Sequence, residues 1–212
     1  MNVCLAHTLT LALGGKNLVD PSIDKDAALI IVDVQKDFCP GGAIPVSFGE
    51  QVVPTLNEYI RIFRTAGAHI YATRDWHPPD HASFIANNGP WPPHCIQHTE
   101  GAEYHDELHL PKETTIISKA DTEHDGYSGF DGTGLAENLK QQGIRTVFVG
   151  GLATEYCVKQ TVLDALRRGY ETFLLEDAVR GINQDDSTRA VKKMLARGAQ
   201  KVILTDITSS PY

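Results

Sequence analysis

Short apolar runs alternate with stretches of helical periodicity along most of this chain. Residues 28–34 are almost continuously apolar, as expected of a strand covered on both faces. Residues 50–66 set Val52, Leu56, Tyr59 and Phe63 at helical spacing, and residues 69–73 read as a second strand after Gly67. Residues 76–111 are rich in Pro, His and Asn and too interrupted for a regular element. A loop of that length in a compact domain is usually functional or disordered, and its aromatic residues argue against disorder. The alternation resumes with a strand at 114–118, a helix at 133–142 and a strand at 146–150. A helix beginning near Glu155 carries Val158, Val162, Ala165 and Leu166. A strand at 172–175, a helix at 187–197 with Val191, Met194 and Leu195, and a strand at 201–204 complete the series. Six strands interleaved with helices predict an α/β fold: a doubly wound, mainly parallel sheet with helices on both faces, three-layered and Rossmann-like. Residues 1–26 read as an N-terminal extension and residues 27–212 as a single domain.

Composition narrows the partners. An apolar fraction of 42% and a charged fraction of 22% are those of an ordinary globular protein. Asp plus Glu number 27 against 19 Lys plus Arg, a formal charge of -8. Binding to a phosphate backbone needs clustered cations, so no nucleic-acid partner is expected. No apolar run approaches the roughly 20 residues of a membrane span, so no membrane partner is expected either. The first stretch is mildly apolar, but it has no basic residue before Lys16 and His7 interrupts it, unlike a secretory signal. Cys4, Cys39, Cys95 and Cys157 form no Cys-x-x-Cys pair and read as reduced thiols, which points to a cytoplasmic protein. The oligomeric state stays open, with room for a homo-oligomer.

In an open parallel sheet, ligands bind outside the carboxyl ends of the strands. Four strand ends here carry reactive groups: Asp33, the run Arg74-Asp75-Trp76-His77, Lys119, and Gly150-Gly151 leading to Cys157. An arbitrary cysteine is more often a small buried hydrophobe. Cys157, however, stands in the first turn of a predicted helix, where the macrodipole and a nearby lysine favour the thiolate. No histidine shares the neighbouring strand ends outside the 75–77 segment, so Asp33 is the natural proton acceptor. Alone, Asp33 and Lys119 read equally well as a turn residue and a surface charge. Together they form a carboxylate held ionised by an amine, able to take a thiol proton and hand it on. Asp75 and His77 are two residues apart in an extended segment and project to one side. A carboxylate and imidazoles suit zinc, although a polar loop without metal has the same spacing. Spacing does not decide among His81, His94, Cys95 and His98 as further ligands.

With these residues laid out, the chain resembles the nicotinamidase/pyrazinamidase family of the isochorismatase-like cysteine hydrolase superfamily, from about residue 28 to residue 204. The run Asp33-Val-Gln-Lys-Asp37-Phe38 matches the family's first strand end. Its metal segment is matched by Asp75-Trp-His77-Pro-Pro-Asp-His81-Ala-Ser83-Phe84 and Trp91-Pro-Pro-His94-Cys95. Lys119 with Tyr127-Ser-Gly-Phe130, and Gly151-Leu-Ala153-Thr-Glu-Tyr-Cys157, match its lysine region and nucleophile turn. The resemblance implies a catalytic triad of Asp33, Lys119 and Cys157. It implies metal ligands Asp75, His77 and His94, and one divalent ion, Zn2+ foremost with Fe2+ or Mn2+ in relatives. It also implies a cis Leu152–Ala153 peptide, with the Ala153 and Cys157 amides as oxyanion hole, and Phe38, Trp91 and Tyr127 walling a ring pocket. Some relatives carry a further carboxylate ligand after the Ser-Phe pair; Ile85 and Ala86 stand there in this chain.

The implied activity is hydrolysis of nicotinamide to nicotinate and ammonia through a cysteine thioester, feeding NAD salvage. Another aromatic or carbamoyl amidase of the superfamily is the nearest alternative, and a metal placed for a pyridine nitrogen speaks against an acyclic substrate. Cys157 speaks against the vinyl-ether hydrolase branch, which lacks this thiol. A non-catalytic metal-binding module is the remaining alternative.

Overall fold

The computed structural model describes residues 23–207. Residues 1–22 of the expected extension, Cys4 among them, lie outside the described residues. The strands are β1 (Ala27–Val32), β2 (His69–Asp75), β3 (Thr115–Lys119), β4 (Thr146–Leu152), β5 (Glu171–Arg180) and β6 (Gln200–Val202). They form one six-stranded sheet in the order β3-β2-β1-β4-β5-β6, and every pairing is parallel. The helices are α1 (Val52–Thr65), α2 (Leu135–Gln141), α3 (Lys159–Arg167) and α4 (Gln184–Ala196).

The apolar run of β1 divides its side chains between two cores because successive residues point to opposite faces. Leu29 and Ile31 pack with Leu56, Tyr59 and Phe63 of α1. Ile30 and Val32 pack with Leu139 of α2, Val162 of α3 and Met194 of α4. Helices therefore cover both faces, and the doubly wound three-layer expectation holds. Each of these fully buried aliphatic side chains contributes roughly 1.5–3 kcal/mol on leaving water.

Element ends moved where polar residues serve the fold. β5 runs to Arg180 although Glu176 and Asp177 interrupt its apolar pattern. Asp177 accepts hydrogen bonds from Tyr59 Oη at 2.8 Å and the Leu204 amide at 2.9 Å, so its half-buried carboxylate is satisfied. α4 begins three residues earlier than its apolar periodicity suggests, because Asn183 caps it by accepting from the Asp185 and Asp186 amides. Chain reversal explains the shorter β1: Asp33 adopts φ +48° and turns off the sheet. The turn Thr154–Val158, read from sequence as the opening of an α-helix, is a π-helical turn that leads into α3.

The sheet order reverses between β1 and β4, which creates the crevice where ligands of such folds bind. The crossover from β2 to β3 carries no α-helix, only short 3-10 turns at Ile85–Asn87 and Glu100–Ala102. That loop is free to fold over the carboxyl end of the sheet, above the switch point.

Candidate active site

Sheet register brings the charged groups together. Asp75 and Lys119 are paired residues of adjacent parallel strands. The backbone of Asp33 still pairs with β2 through its amide, 3.2 Å from Thr73 O. Thr73 Oγ1 donates to Asp33 Oδ1 at 2.6 Å. Lys119 Nζ lies 3.0 Å from Asp33 Oδ2, donates to Asp75 Oδ1, and approaches Cys157 Sγ at 3.5 Å. Asp33, Lys119 and Cys157 are all buried, at 0%, 1% and 5% exposure. Three residues separated by up to 124 positions in the chain thus meet in one cluster. The Leu152–Ala153 peptide is cis, as the resemblance implies. Gly151 precedes it at φ +122°, where a Cβ would stand 2.1 Å from Val32 O, so only glycine lets β4 close on β1 here.

Burial sets the protonation states. It raises the pKa of Asp33 above the ordinary carboxylate value, with the Lys119 ammonium opposing it. Burial also works against the Lys119 cation, yet Asp33 and Asp75 outweigh it and hold that pKa well above the ordinary lysine value. For Asp75, burial pulls upward, but the adjacent Lys119 brings the carboxyl below its ordinary value. Cys157 differs from its sequence expectation. Burial, reinforced by Asp33 and Asp75, lifts its pKa well above that of a free thiol, and Lys119 only partly counters this. The resting group is a thiol, so it needs a proton acceptor, and Asp33 stands beside it.

Beside this cluster the donor atoms of Asp75, His77 and His94 lie within 4.8 Å of one another. His77 Nδ1 faces the Ala120 carbonyl at 3.2 Å and His94 Nδ1 the Pro92 carbonyl at 2.8 Å. A carbonyl can only accept, so each Nδ1 carries the proton and each Nε2 presents a lone pair. Burial lowers both imidazole pKa values, that of His77 to about 4, which keeps them neutral. One carboxylate and two neutral imidazoles fit a divalent ion of the zinc type. Of the ligands that spacing left open, His81 stacks on His77 at 4.2 Å and bonds Ser83 Oγ through Nδ1 at 2.8 Å, with its buried Nε2 unpartnered. Cys95 is turned into the hydrophobic core, and His98 packs on Trp76 at the surface.

A narrow cavity opens onto Cys157, Ala153, Asp75, His77 and His94. Phe38, Trp91 and Tyr127, the predicted ring-pocket residues, line it. Trp91 Nε1 donates to Tyr127 Oη at 3.0 Å. The sequence reading missed Tyr156, whose ring meets Trp91 edge-on at 5.1 Å and Tyr127 at 5.6 Å. It also missed Ile44, Ser83 and Ile182 in the lining. Tyr156 and Ser83 fall inside the matched segments, whereas Ile44 and Ile182 carry no local pattern.

Fold and site together are those of a hydrolase of the doubly wound α/β class with a cysteine at its centre. The chain belongs to the isochorismatase family: the family model for the isochorismatase domain matches residues 27–206. It is 38% identical over 201 residues to a nicotinamidase of Acinetobacter baylyi, covering 84% of this chain and 92% of that protein. A pyrazinamidase of Pyrococcus horikoshii, solved in complex with zinc, superposes with a TM-score of 0.83 at 51% identity, covering 84% of this chain and 99% of that one. PnC1 from L. infantum, solved in complex with nicotinate, superposes with a TM-score of 0.81 at 35% identity, covering 87% and 96%.

Proposed function

We propose that this protein hydrolyses nicotinamide to nicotinate and ammonia through a thioester on Cys157. One observation carries the reading: Lys119 Nζ stands 3.0 Å from Asp33 Oδ2 and 3.5 Å from Cys157 Sγ, and Cys157 opens onto a cavity walled by aromatic rings. The nicotinamidase and pyrazinamidase relatives supply the substrate class.

In this mechanism the Cys157 thiol passes its proton to the Asp33 carboxylate as sulfur attacks the carboxamide carbon. Lys119 keeps Asp33 ionised beforehand and steadies the charge as it shifts. The tetrahedral oxyanion is held by the Ala153 and Cys157 amides, donors of a kind worth about 3 kcal/mol each. The C–N bond breaks while Asp33 returns the proton to the departing nitrogen, releasing ammonia and leaving the thioester. Water then gives a proton to Asp33 and attacks the thioester carbon. Collapse expels the Cys157 sulfur, which recovers the proton from Asp33, and nicotinic acid leaves and ionises. Asp75, His77 and His94 would hold the divalent ion, zinc in our reading, which when bound supplies a Lewis-acid position for the pyridine nitrogen. Phe38, Trp91, Tyr127 and Tyr156 hold the flat ring and exclude water. The free thiols of Cys39, Cys95 and Cys157 suit a reducing compartment, and we assign the enzyme to the cytoplasm and to NAD salvage.

The test is ammonia release from a panel of aromatic and aliphatic amides, with metal quantified on the same preparation. Nicotinamide should be turned over and acyclic amides should not. Cys157→Ala should abolish release while keeping fold and metal content; retained turnover would remove it as the nucleophile.

A further inference from the structure

The turn that follows β1 does more than carry Asp33. Gln35 is fully buried, and its side-chain amide meets both backbone groups of Asp75. Its Oε1 accepts from the Asp75 amide at 2.8 Å, and its Nε2 donates to Asp75 O at 2.8 Å and to Ala102 O at 2.9 Å. β1 has already left the sheet here, since its last ladder partner in β2 is Ala72 and Asp33 reaches only as far as Thr73. The Gln35 side chain replaces the missing strand and continues the ladder to the carboxylate donor. Two residues on, Asp37 performs the matching task at the other ligand segment. Its Oδ2 accepts from the Cys95 amide at 2.7 Å and its Oδ1 from the Ala43 amide at 3.2 Å. The first bond fixes the peptide that follows His94. That peptide's neighbour is tied to the third ligand as well, because the His77 amide donates to Cys95 O at 2.9 Å. Gly101 leaves space for this carboxylate: a Cβ there would stand 2.2 Å from Asp37 Oδ2.

We propose that Gln35 and Asp37 are positioning residues for the metal donor set, bracing Asp75 and the His94–Cys95 peptide from the same turn that presents Asp33. A single short segment then fixes the separation between the proton acceptor and all three donors. Neither residue touches the reacting atoms. The inference rests on the metal site of the proposed function, and its test keeps the two apart.

Zinc affinity is read by chelator competition on metal-stripped protein, alongside the visible spectrum of the cobalt(II) form and the thermal unfolding of the metal-free form. Gln35→Met keeps the volume and removes all three hydrogen bonds; Asp37→Ala removes both acceptors, and Asp37→Asn restores one. Asn183→Ala, which uncaps α4 away from the donors, serves as the control for simple destabilisation. Partners of this kind set ligand orientation, so Gln35→Met and Asp37→Ala should each weaken zinc roughly 10- to 100-fold. The cobalt spectrum should change, and Asp37→Asn should recover part of the affinity. Affinities within threefold of wild type, with only the unfolding temperature lowered as in Asn183→Ala, would overturn the proposal. If Gln35→Met does not fold, Asp37→Ala and its asparagine partner decide by the same readouts. Wild-type protein that binds no zinc would instead remove the metal site on which the inference stands.

Discussion

Replacing Lys119 by methionine should cost far more stability than replacing Asp33 by asparagine, although the asparagine variant should lose most of its activity. The buried cluster holds one cation, Lys119, against two carboxylates, Asp33 and Asp75. Unit charges 3.0 Å apart, the Lys119–Asp33 separation, attract by about 5 kcal/mol at an effective dielectric near 20. Asp33→Asn gives up that attraction but also removes a buried anion, whose desolvation consumed much of it. The asparagine oxygen still accepts from Thr73 Oγ1, and Lys119 keeps Asp75. Stability should change by no more than about 1–2 kcal/mol. Lys119→Met leaves two buried carboxylates without a counter-charge, a loss of roughly 3–5 kcal/mol in such cases. The melting temperature should then fall by roughly 10 °C.

Activity separates from this ranking. Asparagine cannot take the thiol proton, and a positioned base is worth about 10²–10⁴ in rate. With Cys157 resting as a thiol, kcat of Asp33→Asn should drop about 1000-fold in a protein that melts near wild type. Single-turnover ammonia release on metal-loaded samples and calorimetry on metal-free samples read the two quantities. An Asp33→Asn enzyme within tenfold of the wild-type kcat would refute the assignment of the base. An Asp33→Asn protein melting as low as Lys119→Met would refute the charge argument.

Three further outcomes follow from the same geometry. Burial raises the pKa of Asp33, so its proton stays on to a higher pH than on a free aspartate, and the acceptor form is lost as pH falls through that value. The acid limb of kcat/KM should lie above the usual carboxylate range at constant metal content; a limb at the ordinary aspartate value would contradict it. Tyr127→Phe deprives the Trp91 indole N–H of its acceptor and should raise KM up to about tenfold with kcat kept, as steady-state kinetics would show. Gly151→Ala forces a Cβ against Val32 O at φ +122° and should prevent soluble folded expression, whereas Gly143→Ala, with open space around its Cβ, should cost only its backbone strain.

The sheet and its helices were legible because both reflect a repeating pattern: doubly covered strands leave apolar runs, and α1, α3 and α4 leave stripes at helical spacing. Ends were less legible. The polar ends of β2 and β5 and the Asn183 cap obey local hydrogen-bonding needs that periodicity does not record. At the site, Asp33, Lys119 and Cys157 could be picked out as groups at strand ends, since the switch point of a parallel sheet gathers whatever those ends carry. His94 could not be chosen over His81 or His98 from spacing, because the β2–β3 loop folds back through contacts with Asp37 and His77 far along the chain. The thiol's protonation state was misjudged for a related reason. A helix start and a lysine are visible in sequence, whereas the complete burial of the cluster and its second carboxylate arise only from folding.

That last point bears on how such a site can work at all. A thiolate whose proton had already gone to solvent would leave Asp33 none to carry to the departing nitrogen in the proposed mechanism. A buried thiol beside a carboxylate, with Lys119 shared between Asp33 and Asp75, brings its own proton to the cluster. In the proposed mechanism that proton departs with ammonia, water supplies the next one, and Asp33 carries both. Under the proposed mechanism, a resting thiol beside Asp33 lets one carboxylate serve both half-reactions.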